Sequence, residues 1–440
     1  MLKKLDFDRL PVIEIVNEIL LDAAKRGASD IHFDPLDNFL RIRIRIDGLL
    51  MDYSEVPNTN KNNLITRIKI LAGMNITETR LPQDGAIKTT LEDMNLDMRV
   101  SVLPTNKGEK IVVRILDYSL SLNGIENLGF SENNYKKIIQ MVNEPNGIIL
   151  VTGATGSGKS TTVYAMLQRL NKEEINIVTV EDPVEMDIEG INQVQTNSEI
   201  GLTFANALRS ILRQDPNIIM IGEIRDSETA KIAVRASITG HLVLSTIHTN
   251  NSLNTIERLL DMDVEKYLLA SSLTGIVSQK LARKLCPKCK SKRRTNEYER
   301  DLLNKVLHKD ITSVYTAEGC DECTDGYIGR IAIHEVLLIN QEIRDALSNN
   351  ITKEKLRDLV YTSDVTTMLQ DGLEKAVNGE TTIEEVLKII ELDEDENLID
   401  DELAKQADNI NLVRSLQEKE NKTENEIKTL SDLVKNSYKN

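Results

Sequence analysis

Tryptophan is absent from the 440-residue sequence, phenylalanine occurs five times and cysteine only four times. No apolar run approaches the ~18–20 residues that a membrane-spanning helix needs. The first residues, MLKKLDFDRLPVIEIVNEIL, place acidic side chains within their apolar stretch, which is unlike a secretory signal peptide. These absences argue against a membrane-spanning or exported protein. We expect a cytosolic protein, in which the few cysteines point to a metal before they point to disulfides.

A long basic block is also absent. Lys and Arg total 54 against 70 Asp and Glu, which gives a formal net charge of −16. Since neutralisation of phosphates supplies much of the affinity for DNA and RNA, we expect no nucleic-acid partner. Residues 391–440 hold 14 acids against 7 bases, so they carry nearly half of the excess. Their charge and their single aromatic residue predict a flexible acidic tail.

The segment RIRIRIDGLL predicts a β-hairpin, because isoleucines alternate with arginines and the following Asp-Gly pair is a turn signal. Two further strands are expected in DMRVSVLPTNKGEKIVVRIL. We therefore expect a small N-terminal α/β domain over residues 1–118. A stretch rich in Asn, Ser and Gly follows, and it predicts a linker at residues 119–130.

From residue 131, apolar segments of strand length alternate with helical patterns. GIILVTG, INIVTVED, NIIMIGEI and HLVLSTIH are the strand candidates. This alternation predicts an α/β fold with a parallel sheet covered by helices on both faces. We expect the domain to span residues 131–390, with an insertion at 283–335 and amphipathic helices at its C-terminal end.

The segment GATGSGKS matches the phosphate-binding pattern G-x-x-x-x-G-K-[ST], directly after a strand candidate and before a helix-forming run. Its glycines let backbone N–H groups turn toward a β-phosphate. Lys159 adds a positive charge near the β- and γ-oxygens, and Ser160 offers its hydroxyl to Mg²⁺. The alternative is a chance glycine turn. The pattern predicts an ATP site lined by Gly153, Ala154, Thr155, Gly156, Ser157, Gly158, Lys159, Ser160 and Thr161.

Carboxylates follow two of the strand candidates, where ligands of doubly wound sheets gather. Glu223 ends one strand, and Glu181 ends another together with Asp182 and Glu185. We expect both clusters to face the phosphates, where they can polarise water or hold the metal, and we count Glu181 with Glu223 among the catalytic candidates. Gly222 stands where a standard Walker B motif has its metal-binding Asp, which leaves Glu223 for the attacking water. The alternative for Glu223 is a cap on the following helix, and the alternative for the other cluster is a structural role.

His248 ends a further strand candidate, where a lone histidine is either structural or catalytic.

The four cysteines, Cys286, Cys289, Cys320 and Cys323, give the spacing C-x2-C-x30-C-x2-C. Two tight knuckles that deliver four thiolates suit tetrahedral Zn²⁺. The long gap predicts a protruding loop whose two ends the metal site holds together. The alternative to a metal site is two unrelated C-x-x-C pairs.

Four segments occur in an order that resembles the Walker A, Asp-box, Walker B and His-box motifs of the type II secretion and type IV pilus assembly ATPases. They are GATGSGKSTTVY, VTVEDPVE, LRQDPNIIMIGEIRDSETA and TGHLVLSTIHTN. Upstream, GASDIHFDP, RIRIDG, RLPQDGAI and RVSVLPTNKGE resemble the preceding domain of that family. The likeness runs from about residue 11 to 390.

The resemblance implies a RecA-like ATPase domain, with Glu223 as the catalytic glutamate and His248 as a γ-phosphate sensor. It also implies that a glycine at position 222 is normal. In that family, arginines at the positions of Arg99 and Arg114 reach the triphosphate. From the residues alone, Arg99 lies beside the small Ser101, and Arg114 has a more apolar setting that favours a carboxylate or phosphate partner. The alternative is an ordinary half-exposed strand arginine.

For function, the resemblance implies a cytosolic homohexameric motor at the inner face of the cell membrane, acting with an inner-membrane platform protein. The cysteines favour an assembly motor over a retraction motor, because assembly members carry a four-cysteine insertion. Assembly members usually have a further N-terminal domain that docks on a membrane-bound partner, whereas this sequence starts close to the core. The alternatives are a retraction ATPase, a DNA-uptake or conjugative ATPase, and a scaffold without hydrolysis.

Overall fold

The computed structural model of the protein describes residues 3–7, 9–116, 124–349, 351–362 and 364–390. The predicted acidic tail and the first part of the predicted linker, 119–123, lie outside these residues. No helix in the described part of the chain combines the length and apolar character needed to cross a membrane. The described residues form two compact units, one within the ranges Met1–Arg283 and Ile328–Val365 and one within the ranges Lys284–Tyr327 and Thr366–Asn440. The domain boundaries expected from the sequence stay predictions.

An antiparallel six-stranded sheet forms the N-terminal part of the first unit, in the order β3-β2-β1-β6-β5-β4. Its strands are β1 (Ala28–Pro35), β2 (Phe39–Ile46), β3 (Leu49–Pro57), β4 (Gln83–Leu91), β5 (Met94–Thr105) and β6 (Gly108–Leu116). Helices α1 (Val12–Lys25) and α2 (Asn58–Leu71) share one apolar core with this sheet. The predicted hairpin between β2 and β3 is confirmed, with Asp47 and Gly48 both at positive φ.

A seven-stranded sheet forms the rest of the first unit, in the order β15-β12-β7-β11-β10-β8-β9. Its strands are β7 (Gly147–Thr152), β8 (Ile177–Glu181), β9 (Asn192–Gln195), β10 (Ile218–Ile221), β11 (Leu242–Ile247), β12 (Leu273–Leu285) and β15 (Tyr327–Leu338). The neighbouring pairs from β12 to β9 are all parallel, which confirms the sheet predicted from the alternation of patterns.

Successive side chains of these strands point to opposite sides of the sheet, so both faces present apolar residues, and helices cover both faces. In β7, Ile148 and Leu150 enter one core cluster, and Ile149 and Val151 enter the other. Two helices lie on the second face, namely α3 (Glu132–Val142) and α4 (Lys159–Leu170). The first face carries α5 (Phe204–Ile211), α6 (Ser227–Ile238), α7 (Ser252–Asp261), α8 (Lys266–Ser272), α10 (Gln341–Ser348) and α11 (Lys353–Thr362).

The second unit contains the antiparallel pair β13 (Ser291–Arg294) and β14 (Ser313–Thr316), with α9 (Glu297–Leu307), α12 (Met368–Val377) and α13 (Ile383–Ile389). Asn296 and Glu299 form a capping box at the start of α9. Arg293 binds Glu299 and Glu384, which links β13 to α9 and α13. These contacts hold β13, which begins two residues after Cys289, together with α9 and α13.

Candidate functional site

The predicted phosphate loop connects β7 to α4, which begins at Lys159 as expected. Gly156 and Gly158 have φ of 80° and 87°, in the left-handed region where a side chain would be strained. Ala154, Thr155, Gly156 and Ser160 are exposed, whereas Lys159 is buried. The Ser157 hydroxyl is also buried, and it has no hydrogen-bond partner among the described residues. An exposed loop with an unpaired hydroxyl and a helix N-terminus suits an anion.

Lys159 lies along the loop rather than away from it. Its ammonium donates hydrogen bonds to the carbonyl oxygens of Gly153 at 2.9 Å and Ala154 at 3.0 Å. Burial lowers the pKa of Lys159, and the nearby charge of Glu223 acts in the opposite direction. A partly desolvated ammonium held by two carbonyls is a strong local charge, because water screens it little.

Glu223 and His248 meet beyond the carboxyl ends of β10 and β11. The Glu223 side chain is 15 % exposed, and its Oε1 accepts a charged hydrogen bond from Arg225. Its Oε2 lies 3.3 Å from His248 Nε2 but is in no hydrogen bond among the described residues. One carboxylate oxygen is therefore held, and the other is a buried acceptor to which no described residue donates.

The alternative of a helix-capping role for Glu223 is wrong. Asp226 caps α6, because its carboxylate accepts from the backbone N–H of Thr229 at 2.8 Å. Gly222 lies close to the neighbouring strand, and a Cβ there would approach Glu181 Cα to 3.3 Å. A side chain at position 222 would require that backbone to shift by a few tenths of an ångström.

Glu181 is enclosed rather than directed at the phosphate loop. It is 2 % exposed, and its carboxylate accepts hydrogen bonds from Tyr164, Thr179 and Gln193. Burial raises the pKa of Tyr164, and the Glu181 carboxylate raises it further. The same tyrosine oxygen accepts the backbone N–H of Glu185 at 3.1 Å. Glu181 therefore fixes the loop that follows β8, and its predicted role in catalysis stays a prediction.

The two predicted arginines face each other across β5 and β6. Arg99 donates to the carbonyl oxygen of Val184 at 2.8 Å and lies 3.5 Å from the Glu185 carboxylate. Arg114 donates to the buried Asp30 at 3.0 Å. It is 61 % exposed, so the apolar setting expected for Arg114 is wrong, although the expected carboxylate partner is present. Arg99 thus reaches the loop after β8 within its own chain.

The four cysteines converge in the second unit, which rules out two unrelated pairs. Their Sγ atoms all lie within 4.8 Å of one another, and three of the Sγ–Sγ distances are 3.5, 3.6 and 3.9 Å. Four sulfurs at about 2.3 Å from one Zn²⁺ would be roughly 3.8 Å apart, so this set fits the ion. Backbone N–H groups of the first knuckle, that of Lys288 foremost, lower the pKa of Cys286 to about 7. The geometry is that of a metal site and not of disulfides.

Three polar residues around these groups were not predicted from the sequence. Arg225 lies two residues after Glu223 in the segment GEIRD, and this closeness in sequence was the available signal. Tyr164 lies five residues after Lys159 on α4, within the P-loop segment itself. Gln279 lies on β12, a strand that the alternation did not predict, and it contacts the phosphate loop.

Comparisons with known proteins identify the family of this chain. A family model described as "Type II/IV secretion system protein" matches residues 6–388. Type II secretion system protein E of Xanthomonas campestris pv. campestris is 47% identical over 383 residues, which cover 87% of this chain and 68% of that relative. The type IV pilus assembly ATPase PilB of Myxococcus xanthus is 46% identical over 385 residues, covering 86% of this chain and 68% of that relative.

A solved structure supports the fold class. The X-ray structure of the Legionella pneumophila ATPase DotB is 21% identical to this chain and superposes with a TM-score of 0.66, covering 88% of this chain and 97% of that one. This likeness confirms the predicted α/β fold, with an N-terminal domain before a RecA-like ATPase domain. Together with the family model and the two relatives, it confirms the resemblance read from the motifs. The chain therefore belongs to the type II/IV secretion system ATPase family, and it is an ATPase.

Proposed function

We propose that this ATPase works as a homohexamer at the cytoplasmic face of the cell membrane. There it drives the addition of pilin or pseudopilin subunits through an inner-membrane platform protein. The two relatives reported above are named for type II secretion and type IV pilus assembly. The observation that carries the proposal is the approach of Glu223 to His248 at the same edge of the parallel sheet as a phosphate loop with a buried lysine.

Each residue has a separate task in this proposal. The loop N–H groups and Lys159 bind the phosphates, Glu223 orients the attacking water, and His248 contacts the γ-phosphate. Mg²⁺ neutralises phosphate oxygens when it is bound, and Ser160 would hold it. Glu181 and Tyr164 act indirectly, because they fix the loop after β8 that Arg99 touches.

A deletion strain tests the direction of the motor. Without the gene, surface filaments or pseudopilus-dependent secretion should be lost, and wild-type protein should restore them where Glu223→Gln does not. A retraction motor would instead leave more or longer filaments when the gene is deleted. Restoration by Glu223→Gln would contradict the proposal.

The proposed arginine roles predict a loss of turnover without a loss of binding. Arg99→Ala and Arg114→Ala should fold and bind ATP. They should hydrolyse it about 10²-fold more slowly, because each substitution removes a positive charge that stabilises the negative charge developing on the phosphate. Arg26→Ala, which removes the arginine that directly follows α1 and pairs with Asp22, is the matched control. Steady-state phosphate release measures all three variants, and wild-type turnover in Arg99→Ala would remove its assigned role.

A mixing experiment shows whether Arg99 acts within or between chains. In Arg99→Ala protein mixed with Glu223→Gln protein under exchanging conditions, some sites would combine an intact Arg99 with an intact Glu223 from a neighbour. Recovered turnover would mean that Arg99 acts between subunits. No recovery would mean that it acts within its own chain, where it touches Val184.

For the cysteine cluster we propose one structural Zn²⁺ per chain. Four thiolates in two knuckles bind zinc with an apparent ~10–16 kcal/mol in small domains. Elemental analysis of protein prepared reduced and without chelator should find about one zinc per chain, and Cys320→Ser with Cys323→Ser should lose it. Asp321→Asn, between those two cysteines, should keep the metal. Wild-type protein without zinc would contradict the assignment.

A further inference from the structure

Gln279 on β12 is a buried glutamine whose side-chain amide contacts the phosphate loop. It is 1 % exposed. Its Nε2 donates to the carbonyl oxygen of Ser157 at 2.7 Å, and its Oε1 accepts from the Thr162 hydroxyl at 2.8 Å. One side chain therefore joins the middle of the loop to the first turn of α4.

The bond to Ser157 fixes the direction of a loop N–H group. The peptide between Ser157 and Gly158 is planar, and in a trans peptide the C=O and N–H point to opposite sides. When Gln279 holds the Ser157 carbonyl on its own side, the Gly158 N–H must point the other way. A loop that binds phosphate needs its N–H groups turned inward and its carbonyl oxygens turned out, because a carbonyl dipole facing an anion is repulsive.

Two glycines of the motif also pack against Gln279. A Cβ built on Gly153 would lie 2.4 Å from the backbone carbonyl oxygen of Gln279, closer than real contacts allow. A Cβ on Gly158 would lie 3.1 Å from Gln279 Nε2, at a φ that already disfavours side chains. Both ends of the glycine pattern thus depend on the position of one residue that lies more than a hundred positions away.

We propose that Gln279 is a positioning residue for nucleotide binding, which orients the Ser157–Gly158 peptide so that the loop presents its N–H group to the phosphates. The proposal rests on the proposed function, since it assumes that the loop binds a nucleoside phosphate. A glutamine that only filled the core would tolerate an apolar side chain of equal length. A glutamine that orients the loop would not, because the Ser157 carbonyl would lose its donor.

The test compares Gln279→Glu with Gln279→Met, using ADP as the probe. A carboxylate of the same shape cannot donate to the Ser157 carbonyl, whereas its protonated form can. Affinity for ADP should therefore fall about 10- to 100-fold in Gln279→Glu at high pH and recover as the pH is lowered. Gln279→Met should lose a similar factor at every pH, because it has no donor. Titrations between about pH 6 and pH 9 measure both variants.

Controls separate this proposal from the proposed function. Gln168→Glu puts the same charge change on α4, and it should bind ADP like wild type. The wild-type curve over the same pH range accounts for titration of the nucleotide and of Lys159. Wild-type affinity in folded Gln279→Met, which has no donor at any pH, would overturn the positioning role. Wild-type protein that binds no ADP would instead overturn the proposed function. If Gln279→Glu does not fold, the ADP affinity of Gln279→Met alone tests the positioning role.

Discussion

Glu223→Gln protein is expected to bind ATP and to hydrolyse it about 10³–10⁴-fold more slowly than wild type. The amide keeps the size and one oxygen of the carboxylate but cannot take a proton from water. In the structure one oxygen of Glu223 is held by Arg225, and the other accepts no hydrogen bond among the described residues. The substitution therefore removes the charge of the free oxygen while it leaves the phosphate loop intact.

The control for this prediction is Glu228→Gln. Glu228 lies in the first turn of α6, five residues further along the chain, where it pairs with Arg209 at the surface. Its loss should change turnover by less than a factor of about two, since exposed ion pairs contribute little. Turnover measured by phosphate release distinguishes the two variants. A Glu223→Gln enzyme with wild-type turnover would show that another group orients the water.

Lys159→Ala protein is expected to show no hydrolysis above background, a loss of at least about 10³-fold, and weak binding of ATP. The ammonium is buried, it is held by two carbonyl oxygens of the loop, and its charge has no substitute in the loop segment Gly153–Ser160. Removing it leaves those carbonyl oxygens without their donor and takes a positive charge from the phosphates. Both binding and chemistry should therefore fail, unlike in Glu223→Gln.

Lys172→Ala provides the matched control, because Lys172 is exposed just beyond the far end of the same helix α4. It should bind and hydrolyse ATP like the wild type. Binding is measured with ADP in parallel with turnover. If Lys159→Ala bound nucleotide as tightly as Lys172→Ala, the phosphates would have to lie elsewhere, and the assigned loop would be wrong.

The parallel sheet could be predicted because buried parallel strands appear as short apolar runs with turn signals at both ends. The phosphate loop could also be predicted, since its glycines, lysine and serine lie within one short segment of the sequence. Strand β9 was missed, because its sequence NQVQ is polar and lies at the edge of the sheet. Strand β12 was missed for another reason, since in LTGIVSQKLARKL the apolar run passes into a basic stretch without a turn signal.

Contacts between distant residues explain what the sequence did not reveal about the site. Glu181 and Glu223 both follow apolar strands, yet donors from α4 and β9 enclose Glu181, whereas Glu223 keeps a free oxygen. Arg114 shares its face of β6 with Val112 and Leu116, but both are only half-buried, so they do not enclose its side chain. Gln279 acts on the phosphate loop from more than a hundred positions away, which no local pattern predicts.

The central claim is that this chain binds and cleaves ATP with different residues, Lys159 for binding and Glu223 for cleavage. The most direct measurement is the identity of the nucleotide that remains on Glu223→Gln and Lys159→Ala protein after incubation with ATP and removal of free nucleotide. We expect uncleaved ATP on Glu223→Gln, ADP on wild type, and little nucleotide of either kind on Lys159→Ala. ADP on Glu223→Gln in the wild-type amount would contradict the claim.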